Sequence, residues 1–194
     1  MKLEIMKYDV VTSTNDIAMN LINNKIKISG CVYSESQTKG RGTKGKEWVS
    51  TIGNLFASIF FPLKNNYPPF DEFSIINPVI ISDVIKKYCK NKNISFKWPN
   101  DVLVDGKKIC GILQEVITSE ETKFLIIGIG INVLASPNIK KPYQATSIFF
   151  ETGNKPSVIE LINFLILSYE KFFNNLNSYD YSYFKSKAES MALN

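Results

Sequence analysis

The stretch ISFKWPNDVLVDGKKICGILQEV, residues 94–116, decides what kind of sheet this chain builds. Ile94–Trp98 reads as a strand, and Pro99, which has no N–H to give to a ladder, stops it. Asp105-Gly106 is the dipeptide that a tight type I′ turn prefers, because both central residues need positive φ. The apolar runs on either side of it, VLV and ICGIL, therefore form a hairpin. A second turn, at TSEE, leads into the strand KFLIIGIGINV. Strands joined by such short turns lie antiparallel.

Working outward, residues 3–11 read as a strand. STND follows, where Ser13 or Thr14 can cap a helix carrying Ile17, Ala18, Leu21 and Ile22. Residues 30–35 form a short strand, and Asn54–Phe61 is a buried one, rich in aromatic and apolar residues. Asn65 to Asp71 is a loop with Pro68 and Pro69. Residues 73–90 are helical, with Pro78 near the first turn or at a kink. Beyond the sheet, Ser157 with Glu160 forms a capping box for a helix to about Leu176, and a last helix covers 181–190. The order β-α-β-β-α-β-β-β-α implies an α+β fold: a mixed, mostly antiparallel sheet with helices on one face. No repeat and no linker divides the chain, so residues 1–194 are expected to be one domain with C-terminal helices over 156–190.

Composition narrows the chemistry. There is no histidine, so Ser-His-Asp, Cys-His and imidazole-base mechanisms are excluded. Cys31, Cys89 and Cys110 form no CxxC pair, which argues against a zinc site or disulfide framework and fits a reducing, cytoplasmic setting. The N-terminus lacks an apolar signal core, and no apolar run is long enough to span a membrane. The net charge of +5 comes from lysines spread along the chain beside many asparagines, with no basic block. Nucleic-acid binding is therefore not expected, although the charge favours encounter with an acidic partner.

Three short segments carry candidate chemistry. GRGTKG, residues 40–45, alternates glycines so that backbone N–H groups can turn inward as an anion nest. Lys39, Arg41, Lys44 and Lys46 surround it. It is neither a Walker A loop nor a dinucleotide-binding fingerprint, and a solvated basic loop explains the pattern equally well. Arg41 is the only arginine in the chain. Where lysine is the default, one arginine suggests a need for planar, bidentate geometry toward a carboxylate, a phosphate or a packed partner. KWPND, residues 97–101, puts Lys97, Asn100 and Asp101 on a rigid corner, which is also what a plain strand end with a PND turn does. GIGIN, residues 128–132, has glycines that admit close approach of a ligand or of another backbone; a bulge is the plain alternative. Six of the ten glycines lie in the loop, in GIL and in GIG, and both tryptophans fall in the two basic segments.

Taken in order, STN (13–15), SESQTKGRGTKGKEW (34–48), GNL (53–55), KWPND (97–101), KKICGIL (107–113), GIGIN (128–132) and ATS (145–147) resemble the catalytic domain of biotin–protein ligases over about residues 8–150. The resemblance implies the biotin–lipoate ligase catalytic fold, related to class II aminoacyl-tRNA synthetases. It implies ATP and biotin as substrates with Mg²⁺, biotinyl-5′-AMP as intermediate, and the biotin carboxyl carrier protein of a carboxylase as partner. A homodimer is possible, and no DNA or membrane partner is expected. It assigns Ser13, Thr14 and Gln37 to the ureido end of biotin, and Asn15, Lys108 and the strand Gly111, Ile112, Leu113 to the biotin pocket, with Gly128 and Gly130 allowing close approach. Gly40, Arg41, Gly42 and Lys97 go to the carboxylate and phosphate. Thr43, Lys44, Trp48, Asn100 and Asn132 go to the adenylate, with Trp48 stacked on adenine and Asn132 at its edge. Lys97, Arg41 and Asp101 are the implied catalytic residues, Asp101 orienting or deprotonating the incoming lysine.

Two departures stand out. Thr43 occupies a place where the family usually has a second arginine, so weaker retention of biotinyl-AMP is expected. The sequence ends at Asn194 after helix-like residues, so the family's C-terminal SH3-like barrel and N-terminal DNA-binding module are expected to be lacking. Gly40, Gly42 and Gly45 suggest a loop that is disordered when empty and closes over the adenylate. A lipoate- or octanoate-type ligase, and a non-catalytic biotin-binding protein, are the alternatives; the first calls for a linear apolar tunnel, the second for no adenine stack.

Overall fold

Asp105 and Gly106 both take positive φ, 48° and 76°, and the hairpin they close joins β5 (Asp101–Val104) to β6 (Lys107–Ser119). The computed structural model describes residues 1–137 and 144–192. The remaining strands are β1 (Ile5–Val11), β2 (Gly30–Gln37), β3 (Leu55–Pro62), β4 (Ile94–Lys97) and β7 (Thr122–Ile131). The helices are α1 (Thr14–Asn23), α2 (Phe73–Tyr88), α3 (Ile148–Thr152), α4 (Val158–Asn174) and α5 (Tyr181–Ser190). All seven strands form one sheet in the order β1-β2-β3-β7-β6-β5-β4. β1 and β2 are parallel because α1 crosses between them; the other pairings are antiparallel. The mixed, mostly antiparallel α+β sheet expected from the hairpins is what forms.

Strand alternation sorts the side chains into two layers. On β3, Leu55, Ala57, Ile59 and Phe61 join Phe73 and Ile76 of α2 and Leu165 and Tyr169 of α4 in the larger core. Phe61 and Phe173 meet edge to face at 4.7 Å. Each such fully buried ring stabilises by about 1.5–3 kcal/mol. Phe60 points the other way and packs with Ala18, Leu21 and Ile22 of α1. The expectation of helices on one face therefore holds for α2 and α4 and fails for α1. Helix α1 covers part of the opposite face and leaves the rest of that face for the site.

Smaller differences have local causes. Ser157 stands at the N-cap of α4 but makes no side-chain cap bond, so the capping box is not formed. Pro78 sits in the second turn of α2, where its missing N–H leaves the Ser74 carbonyl without its helical donor. Helix α3 was not anticipated; Ser147 caps it by accepting from the Phe150 N–H at 3.2 Å. The outer edge of β4 is met by the C-terminal segment, where the Phe96 N–H donates to Met191 at 2.7 Å. Among the described residues no helix is long and apolar enough to cross a membrane.

Candidate functional site

On the α1 side of the sheet, β6 and β7 set Gly111 opposite Gly130 and Leu113 opposite Gly128. A cavity of about 700 Å³ opens above them, walled by the start of α1, the glycine loop and the turn after β4. These glycines line the cavity and also admit the close approach of the chain's own side chains. A Cβ on Gly111 stands 2.5 Å from the Trp48 ring, one on Gly130 stands 2.4 Å from it, and one on Gly128 stands 2.5 Å from Asn15 Oδ1. The indole thus lies on two glycines, and the Asn15 amide lies on the third.

The polar end is built at the start of α1. Ser13 holds the N-cap position, yet no side-chain cap bond forms there. Gln37 satisfies a different donor of the first turn: its Oε1 takes the Thr14 N–H at 2.9 Å, and its Nε2 donates to Ser50 at 3.1 Å. Ser58, from β3, donates at 2.7 Å to Thr14 Oγ1 and lies within 2.5 Å of Asn15 Oδ1. Ser13, Thr14, Asn15 and Ser58 are all buried. Buried polar groups held this way are preset to discriminate among ligands by hydrogen bonding.

The lone arginine is held by two carboxylates at the cavity wall. Arg41 donates from Nη1 and Nη2 to the two oxygens of Glu115, at 2.8 and 2.9 Å, and from Nη2 to Asp16 at 2.7 Å. Asn15 Nδ2 also donates to Glu115, at 2.6 Å. The Glu115 hydrogen bonds raise the Arg41 pKa further, against the desolvation that opposes its charge. Arg41 therefore ties the loop to β6 and α1 while it lines the cavity. The loop is closed: Gly42 N–H donates to Lys46 at 2.7 Å and Trp48 N–H to Gly40 at 2.9 Å. Gly40 lies beneath the cavity wall, where a Cβ would stand 2.4 Å from the Trp48 carbonyl oxygen. Lys44 and Gly45 turn the loop with φ of 57° and 72°.

Lys97 and Lys108 both reach the cavity wall. Lys97 ends β4 and pairs in register with Asp101. Lys108 Nζ stands 2.6 Å from Asp101 and 5.3 Å from the centre of the Trp48 ring. Asp101 is thus already engaged with a cation, which places it as an orienter of Lys108. Asn100 Nδ2 donates to Thr43 Oγ1 at 3.4 Å, joining the KWPND turn to the loop at the position where the second arginine was expected. Ile112 lines the cavity with Gly111 and Leu113, and its side chain also packs in the core under α2.

Two buried polar atoms near the cavity have no partner among the described residues, Trp48 Nε1 and Asn132 Oδ1. Both residues line the cavity, and buried polar atoms ordinarily take a partner. No group of three potential metal ligands occurs among the described residues.

The structure therefore gathers Ser13, Thr14, Asn15, Gln37, Arg41, Gly42, Thr43, Lys44, Trp48, Lys97, Asn100, Asp101, Lys108, Gly111, Ile112, Leu113, Gly128, Gly130 and Asn132 around one cavity. Asp16, Ser58 and Glu115 were missed. Ser58 was legible from the alternation in NLFASIFF, which puts 56, 58 and 60 on one face. Asp16 and Glu115 follow no motif, and their use depends on long-range approach to Arg41.

The profile of the Biotin/lipoate A/B protein ligase family matches residues 8–132. The bifunctional ligase/repressor BirA of Bacillus subtilis (strain 168) is 31% identical over 195 residues, covering 97% of this chain and 59% of that protein. The biotin–[acetyl-CoA-carboxylase] ligase of Paracoccus denitrificans is 27% identical over 176 residues, covering 88% of this chain and 73% of that protein. The chain thus spans little more than half of the Bacillus relative. Among solved structures, the biotin protein ligase from Aquifex aeolicus in complex with biotin and ATP superposes with a TM-score of 0.81 at 26% identity, covering 98% of this chain and 78% of that one.

Proposed function

The chain belongs to the Biotin/lipoate A/B protein ligase family, and we propose that within it this protein is a biotin–protein ligase, with residues 1–194 as its catalytic domain. The observation that carries this reading is one cavity lined by three chemistries. A buried hydroxyl and amide cluster lies at the start of α1. Two lysines reach the wall. A flat indole and an unpaired amide oxygen complete it. Biotin has a polar ureido ring and a carboxylate, and ATP adds a triphosphate and an amino-purine, so the needs of the two ligands match the walls. The polar cluster also favours biotin over lipoate or octanoate, whose linear apolar chains would leave it unpaired.

In the first step a carboxylate oxygen of biotin attacks the α-phosphorus of ATP. The bond from that phosphorus to the bridging oxygen breaks, and pyrophosphate leaves with the electron pair. Lys97 and Lys108 stabilise the negative charge on the carboxylate and α-phosphate; one well-aimed donor contributes about 3–4 kcal/mol. Asp101 orients Lys108. Trp48, backed by Gly111 and Gly130, stacks on adenine, and Asn132 Oδ1 accepts from its amino group. Mg²⁺ enters as the substrate complex MgATP, held by the phosphates. In the second step a lysine amine of a biotin carboxyl carrier protein attacks the acyl carbon, AMP leaves, and the nitrogen loses its proton. The absence of histidine leaves Asp101, AMP or water to receive that proton. A cytoplasmic setting follows from this substrate set.

The reading is tested by incubating the protein with MgATP and biotin, lipoate or octanoate in turn and recording the acyl-adenylate by mass spectrometry. Biotinyl-AMP alone is expected; octanoyl- or lipoyl-AMP without biotinyl-AMP would move the protein to the other branch of the family.

A further inference from the structure

Asn132 is 2% exposed, yet only one end of its amide is used inside the protein. Nδ2 donates to the Thr146 carbonyl at 2.9 Å, while Oδ1 is buried without a partner among the described residues and the residue lines the cavity. A carbonyl can only accept, so the amide has one orientation: nitrogen toward Thr146, oxygen left for the cavity.

Thr146, 1% exposed, is fixed on two sides. Its N–H donates to the Lys108 carbonyl at 2.8 Å, and its Oγ1 donates to Glu151 at 2.6 Å. The Glu151 side chain is 3% exposed and takes Lys92 and Lys107, each at 3.0 Å. A carboxylate on α3, clamped by two lysines, thus anchors the segment whose carbonyl sets the Asn132 amide.

We infer that Thr146 and Glu151 are positioning residues that present Asn132 to the bound base as an acceptor only, and so make the site prefer an amino-purine nucleotide to an oxo-purine one. This rests on the reading of the cavity as an adenylate site. An amino group on the base donates to Oδ1. An oxo group brings a second acceptor and leaves Oδ1 buried and unpaired, which weakens binding by about tenfold or more. Without the Glu151 anchor the Thr146 carbonyl moves, the amide turns freely, and the preference fades while the biotin end of the cavity is untouched.

The test is calorimetric binding of ATP and of inosine triphosphate, with biotin binding measured in parallel, on wild type, Thr146→Val, Thr146→Ser and Glu151→Ala. Wild type is expected to favour ATP by at least about tenfold. Thr146→Val and Glu151→Ala are expected to lose most of that ratio with biotin affinity unchanged, and Thr146→Ser, which keeps the hydroxyl, to retain it. A Thr146→Val protein with native Tm and an undiminished ratio overturns the inference. So does a wild type without preference, or a parallel loss of biotin affinity. The Thr146 pair decides the matter even where Glu151→Ala fails to fold. A wild type that selects ATP but makes no biotinyl-AMP refutes the ligase reading and leaves the positioning role standing.

Discussion

Arg41 and Glu115, 74 positions apart, meet through two parallel hydrogen bonds of 2.8 and 2.9 Å. This geometry accounts for the one arginine in a lysine-rich chain. A guanidinium fork fits a carboxylate at two points and still reaches Asp16, whereas an ammonium is a single point of charge. The glycine loop is thereby latched to the same strand that floors the cavity.

Arg41→Lys is expected to raise the KM for biotin by about tenfold with kcat little changed, because one charge-assisted bond is lost from the latch and none from the reacting atoms. Glu115→Gln should behave alike, and the double variant should be no worse than either single one. Limited proteolysis should cut the loop faster in all three. An Arg41→Lys protein with wild-type KM and an uncut loop contradicts the latch.

Gly111 and Gly130 carry Trp48, and a methyl group on either collides with the indole at 2.4–2.5 Å. Gly130→Ala is expected to destabilise the fold by about 1–3 kcal/mol in urea unfolding, the usual cost of overpacking. In a Trp48→Ala background the same substitution should cost much less. An equal cost in both backgrounds would place the strain elsewhere.

Thr43 stands where a second arginine was expected and accepts a hydrogen bond from Asn100. Its hydroxyl adds no charge toward an adenylate. Thr43→Arg is therefore expected to slow dissociation of biotinyl-AMP by about tenfold, as one added charge-assisted bond would. Stopped-flow release of the intermediate measures this, and an unchanged rate rules the idea out.

Burial works against the charge on Glu151, but hydrogen bonds from Thr146, Lys107 and Lys92 more than offset it and draw its pKa from 4.5 down to about 2. A carboxylate with a lowered folded pKa contributes stability that is present above its unfolded pKa and lost as pH falls through the folded one. Wild type should therefore exceed Glu151→Gln in stability at neutral pH, and the gap should close between pH 4.5 and about 2. A gap that is constant with pH would mean that charge on Glu151 contributes nothing.

Much of this was legible in the sequence because it is local. Asp105-Gly106 announced the hairpin, the motifs marked their strand ends, and alternation along β6 was available to show that Ile112 faces away from Gly111 and Leu113. What was not legible depends on distant partners. Gln37 satisfies the Thr14 N–H, a donor that no N-cap side chain can reach, with an acceptor brought from β2. Helix α1 lies opposite α2 because its crossover between parallel strands takes it over the other face. Glu151 belongs to no motif, and its use depends on α3 bringing it to Thr146.

The most direct test of the central claim is biotin-dependent exchange of labelled pyrophosphate into ATP, with wild type and Lys97→Ala. Exchange by wild type only when biotin is present, reduced at least about a hundredfold in Lys97→Ala, is the predicted result. No exchange by a folded wild type with biotin and MgATP, or exchange undiminished in Lys97→Ala, would contradict the account of biotin activation in this cavity.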